Sequence, residues 1–226
     1  MKKTFTLLVL SFILLMGVQV NAQSDNTRLY LSAHASTQGL GLEFKVKPKP
    51  DYGIRVGASI LPVEHGGIYS VRSEPTDLDL KVNLKNAHIM FDWHPFLKET
   101  SFSRKVVATV GAGYFWEAKG DAVVSYRGTY NYGDIQIPSN ELGELYGSVQ
   151  WNKVAPYLGI GFENALPTKK FNVGFAVGTY YMGAPDATLT GTKFLTKNVS
   201  NQEQFKENMS YYQFLPVVQI NLNFAL

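Results

Sequence analysis

The feature that most constrains this chain is a period of two in its apolar residues, sustained almost from end to end. In 105–118, the even positions Val106, Ala108, Val110, Ala112, Tyr114, Trp116 and Ala118 are all apolar. The odd positions Lys105, Val107, Thr109, Gly111, Gly113, Phe115 and Glu117 are small, polar or mixed. Successive side chains of a strand point to opposite faces, so one face here is wholly apolar. The same alternation carries Leu29 to Ala35, Leu40 to Val46, Ile54 to Ile60, Phe171 to Val177 and Phe214 to Phe224. Each run is about as long as a tilted strand needs to cross a bilayer. The chain therefore reads as all-β.

In two segments the apolar residues change parity midway. In 78–94, Leu78, Leu80, Val82 and Leu84 share one face, and Ala87, Ile89, Phe91 and Trp93 the other. In 145–163 the change falls near Asn152-Lys153. Either a β-bulge inserts a residue, or the outer halves project beyond the membrane, where the rule relaxes.

Connection lengths supply a topology. Short links are predicted at Pro48 to Asp51, Pro95 to Arg104 and Ala165 to Lys170, and long ones at 63–77, 119–143 and 183–211. Outer-membrane barrels have short periplasmic turns and longer extracellular loops. With a hairpin at Ser36 to Gln38, the count reaches eight strands in a closed antiparallel up-and-down transmembrane barrel. Aromatic girdles fit both ends. Phe44, Tyr52, Trp93, Phe96, Phe162, Phe171 and Phe224 lie near the short turns, whereas Tyr126, Tyr130, Tyr132, Tyr146, Tyr180, Tyr181, Tyr211 and Tyr212 lie towards the long links. A short helix is expected over Val199 to Met209, with Ser200 and Glu203 as a capping box and Phe205 and Met209 on one face.

The N-terminus points to export. Lys2 and Lys3 precede the apolar run Phe5 to Met16, and Val20-Asn21-Ala22 is suited to cleavage after Ala22. Residues 1–22 then form a signal peptide and 23–226 a single barrel domain. The chain has no cysteine, so the fold must hold without disulfides. The formal charge of +3 falls to about +1 without Lys2 and Lys3, which leaves no electrostatic case for nucleic acid.

The stretches Phe91-Asp92-Trp93-His94-Pro95-Phe96 and Trp151-Asn152-Lys153-Val154-Ala155-Pro156-Tyr157-Leu158-Gly159-Ile160-Gly161 are similar to segments of a family of small Gram-negative outer-membrane β-barrel proteins. The likeness runs on through Gly174-Phe175 and Gly183-Ala184-Pro185 to Phe214-Leu215-Pro216-Val217-Val218. It departs at the last residues, where such barrels usually end on an aromatic residue and this chain has Phe224-Ala225-Leu226. The resemblance implies fold and outer-membrane location and carries no established activity.

Polar residues assigned to the lumen are Arg28, His34, Glu43, Lys45, Arg55, His88, Asp92, His94, Glu117, Lys153 and Glu163. The interior of a small barrel is just wide enough for side chains to fill it, and buried charges must pair, so Glu43 with Arg55 is expected on structural grounds alone. An acyl-transfer enzyme would draw on His88, Asp92 or His94 with a serine. Asp92 and His94 lie by a short turn, however, Ser125 and Ser148 lie at the other strand ends, and His34 has no evident acid partner. The sequence thus favours a monomeric structural or surface-interaction barrel over a conduit or binder for a small, hydrophobic compound using Gly-rich inner faces, and over a lipid-modifying enzyme. No cofactor is implied. The expected partners are outer-membrane lipids, periplasmic chaperones and barrel-assembly machinery, and an extracellular ligand.

Overall fold

In the computed structural model of the chain, residues 27–71, 74–99, 102–132, 135–163 and 171–226 are described; the signal peptide expected at 1–22 and the short link expected at Ala165 to Lys170 lie outside them. Twelve strands form: β1 Arg28–Ser36, β2 Gly39–Lys49, β3 Tyr52–Val71, β4 Glu74–Trp93, β5 Val106–Tyr126, β6 Thr129–Tyr132, β7 Ile135–Pro138, β8 Glu144–Gln150, β9 Val154–Phe162, β10 Phe171–Tyr181, β11 Asp186–Gly191 and β12 Phe214–Ala225. Two helices, α1 Ser139–Leu142 and α2 Gln202–Met209, lie in the connections.

Eight strands close a ring. β1 to β5 pair in sequence, the lower half of β5 pairs with β9, β9 with β10, β10 with β12, and β12 with β1. All of these pairings are antiparallel. The fold is a closed antiparallel up-and-down β-barrel of the transmembrane kind, with one short helix, α2, in its last long connection. Closure removes every edge within the ring, which is the only way strands can satisfy their backbone groups in lipid.

The hairpin that brings the count to eight is formed by β1 and β2, which turn at Thr37-Gln38 into Gly39. Gly39 takes φ +110°, and a Cβ there would lie 1.9 Å from the Ile60 carbonyl oxygen. Only glycine fits.

Two of the long links hold more strand than loop, and the third holds β11 and a helix. β3 and β4 continue as a paired hairpin up to Val71 and Glu74, through all the described residues of the predicted loop 63–77. β5 runs on to Tyr126, and the rest of 119–143 folds into the β6–β7 hairpin and α1. Above the ring the upper half of β5 pairs with β8, and β8 with β11. A five-stranded wall of β3, β4, β5, β8 and β11 therefore rises from one side of the barrel. Its longest strands have 20 or 21 residues, about twice what a bilayer crossing needs.

The parity changes have a different cause from a bulge in each strand. In β4 the even residues face inward along the whole strand. Below, they are Asn86, His88, Met90 and Asp92; above, they are Leu78, Leu80, Val82 and Leu84. The outward face inverts too, from Ala87, Ile89, Phe91 and Trp93 below to Asp77, Asp79, Lys81 and Lys85 above. β8 and β9 also keep their inward parity across Asn152-Lys153. The bulge at this level is in β5, where Lys85 pairs with Glu117 but Asn86 with Phe115, leaving Trp116 as the extra residue. Below it even residues face out; above it Ala118 is buried and faces in. The seemingly uninterrupted apolar face 106–118 is thus two faces.

The helix also starts later than the sequence suggests. Residues 193–201 form a 3-10 segment, and α2 begins at Gln202 with Asn201 as its N-cap and no capping side chain.

Candidate functional site

The outer surface of the ring is a band of exposed apolar side chains, among them Leu31, Leu42, Val56, Ile60, Ile89, Val110, Leu158, Ile160, Val177, Ile220 and Leu222. A soluble domain seldom exposes a contiguous patch of this extent; lipid is the solvent it fits. At the short-turn rim, aromatic rings meet in pairs: Tyr52 with Phe91 at 6.1 Å, Phe102 with Phe162 at 4.9 Å and Phe171 with Phe224 at 5.1 Å. Trp93 and Phe96 are exposed at the same rim, with Phe44 two places further up β2 than Val46. At the other rim Tyr181 packs on Phe214 at 5.3 Å, beside exposed Tyr114 and Trp116. Tyr126, Tyr130 and Tyr146 do not belong to that rim; Tyr126 and Tyr146 stand on the wall above it, and Tyr130 on the separate β6–β7 hairpin. Tyr180 is also misplaced by the sequence reading. It is fully buried inside the barrel.

The lumen is filled in two layers. The lower layer is ionic. Arg55 forks onto Asp92, with Nε 2.9 Å from Oδ2 and Nη2 3.1 Å from Oδ1, and its Nη1 donates to Glu43 Oε2 at 2.9 Å. Lys45 is 2.7 Å from Asp92 Oδ2 and also pairs with Glu163, which holds Lys47 at 2.6 Å and His94 at 3.0 Å. Three cations, Lys45, Lys47 and Arg55, thus face three carboxylates, Glu43, Asp92 and Glu163. Burying charge is expensive unless every member is paired and hydrogen-bonded, and this set is balanced. His88, Gln219 and Thr109 add hydrogen bonds to Glu43 and Asp92 at 2.8 to 3.1 Å.

The upper layer is apolar: Tyr180 sits edge-on to Phe115 at 5.2 Å and beside Tyr157 at 4.8 Å, within a cluster that includes Leu84, Met90, Met182 and Val217. Inward glycines do not leave free space. A Cβ at Gly178 would lie 2.3 Å from Tyr157 Oη, and one at Gly57 would lie 2.6 Å from Glu43 Cγ. Among the described residues, two cavities in the lower lumen measure about 20 and 10 Å³, room for about a water molecule each.

The structure brings Glu43, Lys45, Arg55, His88, Asp92, His94 and Glu163 together in this network. Arg28 stands exposed at the short-turn mouth, outside it. Glu117 and Lys153 are not lumenal. Above the Trp116 bulge odd positions of β5 face outward, so Glu117 pairs with Lys85 at 2.6 Å on the outer surface. Lys153 is exposed at the β8–β9 kink, and only its carbonyl is engaged, by the Phe115 amide. The uncharged members Ser32, Ser59, Asn86, Asn221 and Asn223 share the inward parity of their strands, whereas Gln38 enters from the β1–β2 turn, where parity gives no signal. Lys47, on the same parity as Lys45, was legible by the same rule.

His34 Nε2 meets Ser59 Oγ at 2.9 Å, and its Nδ1 lies 3.5 Å from Glu43 Oε1 without a hydrogen bond between them. A serine, a histidine and a carboxylate in this order resemble a hydrolytic triad, but the histidine–carboxylate link that would orient the base is not made. Ser59 is also only 1% exposed, which leaves a substrate no access to it. Here His34 and Ser59 serve as buried hydrogen-bonding partners of each other.

On the wall the polarity is reversed. Its outward face carries the pairs Lys81–Glu64, Lys85–Glu117, Lys119–Asp121 and Arg127–Asp77. The hydrogen bond from Lys81 to Glu64 raises the ammonium pKa above its ordinary value. The inward face is Leu80, Val82, Ala122, Val124, Leu145, Val149 and Leu189. Helix α2 lies over this face, with Phe205 and Met209 turned to it. Gln202 clips the helix start to β11 through the Leu189 amide and the Ala187 carbonyl, the latter at 2.8 Å. Just past the helix end, Trp151 Nε1 donates to the Tyr212 carbonyl at 2.8 Å. Between the clipped helix and the wall lies an apolar groove of about 440 Å³.

No family model matches the chain. Among curated proteins, lymphotoxin-beta of Marmota monax is 27% identical over 132 residues, which is 58% of this chain and 38% of that protein. The chain thus spans well under half of that relative, and the likeness shows no shared family. Among solved structures, Acinetobacter baumannii CarO2 superposes with a TM-score of 0.66 at 22% identity, over 88% of this chain and 98% of that one. CarO of the same organism gives 0.63 at 22% identity, over 87% and 97%. These likenesses show the fold.

Proposed function

We propose that the chain is an integral outer-membrane barrel, closed to solutes, whose working surface is the wall that rises outside the membrane. The observation that carries this is the inversion of polarity at the level of Trp116. Below it the outside is apolar, as lipid requires, around a lumen that is ionic at its base and aromatic at its top; above it the outside is charged and the inside apolar, as water requires. The membrane boundary is written into the strands. Short turns at the opposite end mark the periplasmic side. The wall then faces the exterior, where surface interaction is its role.

The groove under α2 favours a second, compatible reading: the wall binds an apolar small molecule. Apolar walls with almost no polar lining recognise by shape and burial alone, which suits an alkyl or aromatic compound. The filled lumen and the burial of Ser59 speak against transport and against lipid chemistry there. The test is reconstitution. In planar bilayers the protein should show no steady conductance, and in lipid nanodiscs it should bind a naphthylamine fluorophore, weakened several-fold by Phe205→Ala. Stepwise open channels would overturn the closed reading. Equal fluorophore binding by wild type and Phe205→Ala would remove the groove from it.

A further inference from the structure

At the short-turn end the barrel opens into a vestibule of about 540 Å³, lined by Arg28, Tyr30, Lys47, Lys49, His94, Leu97, Arg104, Lys105 and Glu163. Glu163 is its one carboxylate, and that group is already shared by Lys45, Lys47 and His94. Among the described residues, none pairs a carboxylate with Arg28, Lys49, Arg104 or Lys105; Lys49 lies over the Tyr52 ring at 5.8 Å. The lumenal network is charge-balanced, and the outer wall pairs its surface cations. Among the described residues, this mouth gathers four cations that no carboxylate pairs.

We propose that the vestibule is a binding site for a phosphate-bearing anion carrying at least two negative charges. A concave site with low-dielectric walls concentrates the field of its charges, so four uncompensated cations attract an anion far more strongly than the same cations spread over a convex surface. Arg28 and Arg104 offer planar forks that match phosphate oxygens, and the lysines add point charges. The Tyr30 hydroxyl supplies a neutral donor at the same wall. Glu163 makes the site selective. It lies at the floor, locked to Lys45 and Lys47, and closes the way upward, so the anion is held rather than passed through the lumen.

The phosphate can belong to a soluble periplasmic compound or to a lipid headgroup, and the test separates the two. Protein folded in neutral detergent is titrated calorimetrically with inorganic pyrophosphate. The expected result is saturable binding that weakens with salt. It should fall about tenfold in R28Q/R104Q, and similarly in K49Q/K105Q, but not in K81Q/K119Q on the outer wall. Heat-dependent gel mobility verifies that each variant is folded. The titration is then repeated in nanodiscs of zwitterionic lipid with and without phosphatidylglycerol. Weaker pyrophosphate binding beside the anionic lipid, in wild type only, identifies the headgroup as the occupant; equal binding identifies a soluble anion. Absence of saturable binding in detergent, or an equal loss in K81Q/K119Q, would overturn the proposal.

Discussion

Arg55 ties three strands together, donating to Glu43 on β2 and forking onto Asp92 on β4. Arg55→Ala would leave two buried carboxylates without their shared cation. The expected cost is about 3–5 kcal/mol, read as a lowered thermal midpoint of the heat-modifiable band; an unchanged midpoint would show that the network is not structural. Gly178 makes a second test at this scale. Its absent side chain is the space that Tyr157 occupies, so Gly178→Ala should destabilise by about 1–3 kcal/mol, and Tyr157→Leu in the same chain should recover part of the loss. The Glu43–Arg55 pair was legible in the sequence, since both residues lie on inward parity of neighbouring strands. Glycine was not. A glycine-rich inner face reads as empty space until the large side chains opposite it are placed.

For the elements, β4 and β5 explain each other. Polarity inverts where both strands leave the membrane. In β4, which has no bulge, the inversion shows up in sequence as a change of apolar parity and mimics a bulge. In β5 the extra residue Trp116 reverses parity at the same level as the inversion, the two cancel, and the sequence looks regular across a real irregularity. Apolar periodicity reports the product of geometry and solvent, so it cannot separate them when both change together. The same confusion made the upper strands look like loops, because their alternation pointed the wrong way for a lipid-facing surface. Deleting Trp116 is therefore expected to damage the wall more than the ring. Ala118, Ala122 and Val124 would turn outward, and limited proteolysis should cut near 119–150 while the heat-modifiable barrel persists. Cleavage no faster than in wild type would contradict the role given to the bulge.

Across the whole molecule, the ring and the strand count follow from alternation and link length, and the structure agrees with both; the short turns after β2 and β4 fall where expected, and the link expected at Ala165 to Lys170 lies outside the described residues. The wall and its groove arise from pairings between β5, β8 and β11, which are distant in sequence; the upper half of β5 and all of β11 lie in what read as loops, whereas β8 read as the start of the strand that continues into β9. The account's central claim is that one chain crosses the membrane below Trp116 and stands in the external solvent above it. Single cysteines test this directly, because the chain contains none of its own. Lys81→Cys on the wall, Ile89→Cys on the apolar band and Lys98→Cys at a short turn are expressed in turn, and intact cells are treated with a membrane-impermeant maleimide. The account predicts labelling of Lys81→Cys alone, with Lys98→Cys becoming reactive only after the outer membrane is permeabilised. Labelling of Ile89→Cys, or of Lys98→Cys in place of Lys81→Cys in intact cells, would contradict it.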